Sequence, residues 1–343
     1  MGVKDTGDER ARIGARTPML LARDAVMRSV RAYFQAHDFV EVETPARVFS
    51  PGQELHIDAL PAGGGRYLIT SPEYHMKRLV AGGLTRIVQV CRCFRAEEAG
   101  PFHQPEFTMI EWYRAGGSMD ALIADCEALV AGAARAVGRW PRVPVPTSRR
   151  SAYADDSLRL DCAFQRTTVR DLFKRHAGLD LRGDESKADM RLLAERAGCR
   201  VTHDAGWDDV FFQIFLDRIE PHLGLTCPTF VEDWPLPMAA LARAKVDDAL
   251  TAERFELYAG GLELANAFGE LTDPVEQRAR FVEEAGLRQQ RGGAVYPLDE
   301  KLLAALGHMP ATCGIAMGFD RLVMLVTGAA TIREVLAFAN DEA

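Results

Sequence analysis

The chain has 343 residues, of which 48% are hydrophobic and 26% are charged, enough to build one large core or two domains. Its formal net charge of −8 excludes a protein that holds nucleic acid mainly by bulk positive charge. No apolar run reaches the roughly 18 residues of a membrane span, and the polar start MGVKDTGDERARIGART lacks the apolar centre of a signal peptide. Composition therefore predicts a cytoplasmic protein without a membrane association.

The seven cysteines are an odd number at irregular spacing, which indicates reduced thiols rather than a disulfide framework. Cys91 and Cys93 form a Cys-x-Cys pair, but no second pair follows at zinc spacing, and the eight histidines are scattered. The sequence thus predicts no structural metal.

The N-terminal part begins with a predicted flexible arm, residues 1–17, which has no hydrophobic periodicity. Apolar side chains at helical spacing then predict a helix over residues 18–36. Residues 39–45 (FVEVETP) alternate apolar and acidic side chains, as an edge or interface strand does, and end in a proline. In residues 70–73 (TSPE), a serine or threonine cap and a proline predict a second helix start, with Glu73 in its first turn.

A predicted hairpin follows. The apolar run at residues 87–91 leads to Arg95 and Glu97, a glycine–proline loop comes next, and residues 107–113 (FTMIEWY) return as a strand. Charges within half-buried strands are costly unless a ligand or partner neutralises them. The hairpin is therefore a candidate binding site, with a solvated hairpin face as the alternative.

The middle of the chain is predicted to be mainly helical. Residues 120–137 have the spacing of a packing helix, residues 138–150 are a Pro-rich surface connection with four arginines, and residues 167–223 contain three or four short helices. Because no clean linker separates this region from the rest, we predict a helical insertion over residues 118–225, not an independent domain.

The last third returns to strands, and residues 253–258 and 262–271 form a predicted hairpin. Alternation places Glu256 on one face of the first strand, and Glu263 with Ala265 on one face of the second. If Glu256 and Glu263 meet, they repel unless a cation lies between them, as in sites for hard divalent ions such as magnesium. A solvent-facing pair is the alternative.

Two stretches together resemble the class II aminoacyl-tRNA synthetases. Residues 94–113 resemble motif 2, and residues 314–322 (GIAMGFDRL), a Gly-rich turn running into an apolar helix, resemble motif 3. Residues 18–45 are similar to motif 1, which builds the dimer interface in that family. Over residues 18–340 the sequence is similar to the catalytic domain of lysyl-tRNA synthetases, and most similar to the short paralogues that attach β-lysine to elongation factor P. The supporting strings are FVEVETP, SPEYHMKRL, FRAEE, HQPEFTMIEWY, CPTFVEDWP, GLELANAFGELTD and GIAMGFDRLVML.

This resemblance implies an α+β fold with one catalytic domain over residues 18–343, in which helices flank an antiparallel sheet of six or seven strands. It also implies a homodimer, ATP, magnesium and an aminoacyl-adenylate intermediate. The residues before motif 1 leave no room for the OB-fold domain that reads the anticodon in lysyl-tRNA synthetases, so tRNA is not the expected acceptor.

The family's nucleotide contacts correspond to residues of this chain. Arg95 would contact the α-phosphate and the attacking carboxylate, and Arg321 would hold the γ-phosphate and pack against adenine, which makes both the implied catalytic residues. Glu256 and Glu263 would bind magnesium. No side-chain base is required, because the carboxylate of the amino acid is already ionised at pH 7. The other implied ATP contacts are Glu97, His103, Gln104, Phe107, Glu263, Leu264 and Gly318.

The family's amino-acid pocket implies an acidic site. Glu111, Glu270 and the Tyr113 hydroxyl would face the ε-ammonium of a lysine-type substrate, and Glu73 would meet its α- or β-amino group. An uncharged amino acid would leave these acids unpaired and be rejected. The remaining implied substrate contacts are Ser71, Asn266, Phe268 and Ala316.

The sequence departs from the family at three positions. Ala316 stands where the synthetases usually have glycine, and its methyl group suits a substrate with a displaced amino group. Ala96 and Gln104 stand where the paralogues usually have asparagine. Gln104 still offers an amide, whereas Ala96 does not.

The leading hypothesis is an ATP-dependent, AMP-forming ligase that activates (R)-β-lysine or lysine and transfers it to a lysine ε-amine of elongation factor P. Two alternatives stay open. A stand-alone lysyl-tRNA synthetase-like enzyme acting on tRNA or another acceptor would share every motif. A non-catalytic amino-acid-sensing paralogue would be free to lose Arg95, Glu263 or Arg321, all of which are present.

Overall fold

The structure, a computed structural model, describes residues 9–96, 98–145, 157–239 and 241–342. Its α-helices are α1 (Glu9–Ala36), α2 (Glu73–Ala81), α3 (Met119–Ala136), α4 (Val169–Leu172), α5 (Lys187–Arg196), α6 (Trp207–Ile214), α7 (Pro274–Gln290), α8 (Glu300–Leu306) and α9 (Phe319–Thr327). Its strands are β1 (Val40–Glu41), β2 (Arg47–Val48), β3 (Tyr67–Leu68), β4 (Arg86–Phe94), β5 (Glu106–Ala115), β6 (Arg142–Pro144), β7 (Ser157–Arg159), β8 (Gln165–Thr168), β9 (Thr229–Pro235), β10 (Thr251–Ala259), β11 (Leu262–Gly269) and β12 (Thr312–Gly318).

The main sheet has eight strands in the order β1-β4-β5-β12-β11-β10-β9-β8. The six inner strands pair antiparallel, which confirms the predicted α+β fold. The two outer strands, β1 and β8, add parallel pairs at the edges. Residues 39–45 were predicted as an edge or interface strand, and β1 lies there, although it has only two residues. Strand β8 was not predicted, because its four residues have no apolar alternation.

One face of the sheet packs against α1, α3 and α9. The core between them contains Trp112 and Ile315 from the sheet, with Val30, Leu129 and Val323 from the three helices. Because side chains alternate along a strand, the residues between these apolar ones point to the opposite face. That opposite face has polar and charged side chains, and it is where the predicted site residues lie.

The helix predicted from residue 18 begins at Glu9, so residues 9–17 are helical and the predicted arm is wrong there; residues 1–8 lie outside the described part. The first turns are held by tertiary contacts that hydrophobic periodicity does not reveal. Arg16 donates to the Glu342 carboxylate at 2.6 and 2.8 Å and to the Ala337 carbonyl.

The predicted helical insertion over residues 118–225 is also corrected. Helix α3 belongs to the main core, and β8 belongs to the main sheet. Only the helices from α4 to α6 and the short turns around them form a separate cluster, packed around Phe211, Phe215 and Trp234. The periodicity of α3 was correctly predicted, but periodicity does not show which core a helix joins.

The cysteine prediction is wrong at one pair. Cys162 and Cys227 are joined as a disulfide with Cα atoms 6.6 Å apart, whereas the other five cysteines are free thiols. The spacing of 65 residues gave no signal, because the pair is brought together by the loops that precede β8 and β9. None of the helices among the described residues is both long and apolar enough to span a bilayer.

Candidate active site

Four predicted site residues form one row across the sheet. Glu111 on β5 is opposite Ala316 on β12, Ala316 is opposite Asn266 on β11, and Asn266 is opposite Glu256 on β10. Directly opposed residues of antiparallel strands point to the same face. The sheet therefore places an acid at each end of this row, on the face away from α1, α3 and α9.

A cavity of about 920 Å³ lies over this face. Its size is that of a site for a nucleotide and a small second substrate. Glu111, Tyr113 and Glu270 do not line it, and Glu97 lies outside the described residues. The predicted site residues that line the cavity are Ser71, Glu73, Arg95, His103, Gln104, Phe107, Glu256, Glu263, Leu264, Asn266, Phe268, Ala316, Gly318 and Arg321.

Arg95 lies just after β4 and lines the cavity with a spare donor. Its guanidinium is 5.2 Å from the centre of the Phe107 ring and 3.5 Å from Glu98. Its Nε is buried and has no hydrogen-bond partner among the described residues. A buried donor without a partner is costly, so this nitrogen suits an anionic ligand.

Arg321 on the first turn of α9 is fixed by three contacts. It donates to the Glu263 carbonyl at 2.8 Å, to the Phe102 carbonyl at 3.3 Å and to the His103 Nε2 at 2.5 Å. Burial and the nearby Arg321 lower the pKa of His103, which keeps the imidazole neutral and able to accept this bond. Arg321 and His103, two predicted nucleotide contacts, are thus brought together and oriented by contacts within the protein.

Glu256 and Glu263 meet because of a β-bulge. The pairing of β10 with β11 shifts between Leu257 and Tyr258, so Tyr258 is opposite Glu263 while Leu257 is opposite Ala265. The bulge turns Glu263 to the same face as Glu256 and leaves Ala265 in the core, which corrects the predicted alternation. Burial and the charge of Glu263 raise the pKa of Glu256 to about 7.

Gln104, a predicted nucleotide contact, lines the cavity and also contacts the C-terminal segment. Its side-chain oxygen accepts the backbone N–H of Asn340 at 3.1 Å. Nearby, the Ile332 N–H donates to the Pro101 carbonyl at 2.8 Å. The C-terminal segment is therefore attached to the loop between β4 and β5, in part through the Gln104 side chain.

The acidic end of the site contains a lysine that the sequence analysis did not single out. Lys77 on α2 is 1% exposed, and its Nζ is 2.5 Å from Glu73 and 2.5 Å from Glu270. Burial raises the pKa of Glu270 to about 7, although Lys77 opposes the shift. Lys77 follows Glu73 by one helical turn, a spacing that is typical of ion pairs but does not show burial.

Glu111 lies behind the cavity wall and has no cation beside it among the described residues. It is 2% exposed and accepts hydrogen bonds from Ser71 Oγ at 2.6 Å and from the Tyr113 hydroxyl at 2.7 Å. Burial and the charge of Glu73 hold its pKa well above the usual range for a carboxyl. Glu111 is thus one hydrogen bond from the cavity, and a bound ammonium would restore its charge.

Gly314 allows Tyr113 and Glu270 to lie together. A Cβ atom at this position would overlap the Glu270 carboxylate and the Tyr113 ring.

Gly314→Ala is therefore expected to weaken binding of the predicted lysine-type substrate by about tenfold or more, since overpacking costs about 1–3 kcal/mol. Binding of ATP should be nearly unchanged. Calorimetric titration with each ligand measures this. Gly286→Ala, whose Cβ would meet nothing within 4 Å, is the control, and equal losses for both ligands would contradict the assignment.

Three further residues were missed. Arg254 is 9% exposed and donates to Glu256 at 2.6 Å and to Asn266 at 3.2 Å. The sequence could have indicated this residue, because it is an arginine inside an apolar strand.

Glu54 and Glu284 also line the cavity. Burial and the charge of Glu54 raise the pKa of Glu284 to about 8. No sequence pattern connects these two acids, which are 230 positions apart.

The raised pKa of Glu284 predicts a pH-dependent stability. Folding raises the pKa of this carboxyl from 4.5 to about 8, so the folded protein favours the protonated form. The resulting contribution to stability is complete below pH 4.5 and is lost as the pH rises towards 8. Glu284→Gln should therefore melt at a higher temperature than the wild type at about pH 8 and show a flatter pH dependence. Thermal melts from about pH 5 to pH 8 test this, with the more exposed Glu283→Gln as control. If the melting temperatures of the wild type and of Glu284→Gln changed in parallel with pH, this prediction would be refuted.

The model of the family described as tRNA synthetases class II (D, K and N) matches residues 12–342 of the chain. The chain belongs to this family. The segment that resembles motif 2 is the β4–β5 hairpin, and the segment that resembles motif 3 is β12 with α9. The Gly-rich turn predicted in the second segment is a strand.

Curated class II relatives match over nearly the whole chain. A protein of Klebsiella pneumoniae subsp. pneumoniae is 39% identical over 342 residues, which are 95% of this chain and 96% of the relative. A protein of Enterobacter sp. strain 638 is 38% identical over 96% of this chain and 97% of its own length. One from Edwardsiella ictaluri is 37% identical over 94% and 95%. All three are named elongation factor P–(R)-β-lysine ligase.

Proposed function

We propose that this protein is an ATP-dependent ligase that activates (R)-β-lysine or lysine as an aminoacyl-adenylate and transfers it to a lysine ε-amine of elongation factor P. The observation that carries the proposal is the division of one cavity wall into two ends. Arg95 and Arg321 bring two guanidinium groups to one end, next to the carboxylates of Glu98 and Glu263. Glu73, with Glu111 and Glu270 behind it, makes the other end acidic. A triphosphate and an amine-bearing acid are the ligands that such a surface complements.

The nucleotide end supports adenylate formation. In-line attack of a carboxylate on the α-phosphorus needs negative charge to be gathered and stabilised, and no nucleophilic side chain is required. The unpartnered Nε of Arg95 offers a donor to the phosphate or the attacking carboxylate. Arg321, held by three partners, presents its guanidinium with little loss of side-chain entropy.

The residues present also fit a magnesium ion at Glu256 and Glu263. The two carboxylates share one face of the hairpin, where their charges repel. Both oxygens of Glu256 already accept a hydrogen bond, from Arg254 and Tyr258 at 2.6 Å each, and each oxygen retains a second lone pair. When bound, magnesium would neutralise phosphate charge.

The acidic end supports a substrate with two ammonium groups. When ionised, Glu73, Glu111 and Glu270 bring three negative charges and Lys77 brings one positive charge, which leaves an excess of two. Lysine and β-lysine each supply two ammonium groups, so either would make the buried group neutral. An amino acid with an uncharged side chain supplies only one and leaves a buried charge unpaired.

The proposal includes a homodimer built on the motif 1 elements. Leu21 on α1 is 64% exposed and Val40 on β1 is 50% exposed, although both are apolar. Exposed apolar residues on elements that form the dimer interface in the family support a partner there. Sedimentation velocity of the wild type and of Val40→Asp tests this, and a monomeric wild type at micromolar concentration would refute the dimer.

The deciding experiment measures the intact mass of elongation factor P after incubation with this protein, ATP and either (R)-β-lysine or lysine. The expected result is an increase by one lysyl residue on a single lysine, with no increase when ATP is omitted. Purified tRNA in place of elongation factor P is the parallel arm. Charging of tRNA alone would support the stand-alone synthetase-like alternative, and absence of ATP–pyrophosphate exchange with both isomers would support the sensor alternative.

A further inference from the structure

Three sulfur atoms lie together on the active-site face of β4 and β5. Cys91 Sγ is 3.9 Å from Cys93 Sγ, and Cys93 Sγ is 3.9 Å from Met109 Sδ. Cys91 and Met109 are directly opposite each other in the β4–β5 pair, so their side chains share one face and one neighbourhood. The sulfur of Cys93 therefore lies 3.9 Å from the sulfur of each of the other two residues, on one face of the sheet.

We propose that Cys91, Cys93 and Met109 form a binding site for one soft monovalent metal ion of the Cu⁺ type. Thiolate and thioether ligands select Cu⁺ over hard ions such as magnesium. A metal held in one plane by three sulfurs at about 2.3 Å keeps them about 4 Å apart, and both spacings that involve Cys93 have this value. Binding one Cu⁺ releases the two thiol protons and uses a neutral lone pair of Met109, without any redox step.

The surroundings suit a soft ion that has lost its water. Cys93 is fully buried, and Val48 and Ile69 pack on the same cluster. Met109 lines the cavity, which connects the cluster with solvent. The spacing of cysteines and histidines along the sequence does not reveal such a site, because the third proposed ligand is the thioether of Met109 on the neighbouring strand.

The proposed metal site is separate from the carboxylates Glu256 and Glu263. Cys93 is directly opposite Phe107, one of the implied ATP contacts, and Ala316 packs on the same cluster. The sulfurs therefore lie in the wall of the cavity. The inference depends only on the three sulfurs and their surroundings. It does not depend on the proposed ligase activity, and its test measures metal binding.

The test titrates the full-length, reduced protein under anaerobic conditions with Cu⁺ supplied as its bis-bicinchoninate complex. We expect the wild-type protein to take Cu⁺ from this chelator. Cys91→Ser and Cys93→Ser should each bind one Cu⁺ ion fewer per chain. Met109→Leu keeps both thiols and should weaken binding at this site by about tenfold or more. X-ray absorption of the loaded protein should show three sulfur neighbours.

Matched controls separate this site from the other cysteines. Cys126→Ser removes a buried thiol outside the cluster and should bind as the wild type does. The double variant Cys162→Ser and Cys227→Ser removes the disulfide pair and should also retain the high-affinity ion. Circular dichroism checks the fold of each variant, and Met109→Leu remains informative if a serine variant misfolds. No withdrawal of Cu⁺ by the wild type, or wild-type binding by folded Cys93→Ser, would overturn the proposal.

Discussion

Arg321→Ala is expected to lower the rate of ATP–pyrophosphate exchange by about 10²- to 10³-fold, the usual loss when one preorganised charge-stabilising donor is removed. The guanidinium is already positioned by the Glu263 and Phe102 carbonyls and by His103, so its loss removes a fixed charge rather than a mobile one. Exchange should be measured at saturating ATP with lysine and with β-lysine. Arg321→Lys restores charge but not the planar fork and should recover only part of the rate.

The control for Arg321 is Arg92→Ala. Arg92 lies on β4 with a half-exposed side chain, and its ion pair with Glu106 spans 3.6 Å. Exposed pairs of this kind contribute about 0–1 kcal/mol, so exchange by this variant should match the wild type. If Arg92→Ala lost as much activity as Arg321→Ala, or if Arg321→Ala kept the wild-type rate, Arg321 would have no special part in nucleotide activation.

Lys77→Met is expected to destabilise the protein by about 3–5 kcal/mol, the cost of leaving a buried charge without its partner. The substitution keeps the apolar stem but leaves Glu73 and Glu270 facing each other without the ammonium that lies 2.5 Å from both. Urea unfolding at about pH 8, above the raised pKa of Glu270 of about 7, measures the effect. The affinity for lysine should also fall. Without Lys77, the three acids exceed the two ammonium groups of lysine by one charge, so one acid must take up a proton or another cation when lysine binds.

A second substitution distinguishes charge from packing at Lys77. Glu270→Gln in the Lys77→Met background removes one of the two unpaired carboxylates and should recover part of the lost stability. The neighbouring Arg78→Ala, at a more exposed position of α2, is the control and should change stability little. If the double variant were no more stable than Lys77→Met, the loss would come from packing around the lysine stem.

The sequence predicted the site best where function requires unusual residue types. Arg95 follows an apolar strand and Arg321 follows a Gly-rich stretch, so each is a charged residue in a segment whose other residues are typical of a core. Both arginines line the cavity. Charged groups in such segments need a structural or ligand partner, so residue type alone identifies them. The antiparallel order of the inner strands followed from the family resemblance and is confirmed.

The missed features depend on contacts between distant parts of the chain. The β-bulge before Tyr258 changes the face of Glu263, and strict alternation does not include it. Lys77 has the spacing of a surface ion pair, and only the approach of Glu270 shows that it is buried. Gln104 has the residue type of a nucleotide contact, and local sequence does not show that its oxygen also accepts the Asn340 N–H. Each of these results from tertiary packing, which local patterns do not encode.

The attachment of the C-terminal segment has a practical consequence for handling the protein. Asn340 and Ile332 hold the loop that carries the predicted nucleotide contacts, and Glu342 holds Arg16 at the start of α1. A change that displaces residues 340–342 would therefore disturb that loop and the first helix at once. Kinetic comparisons should begin from protein in which these contacts are intact.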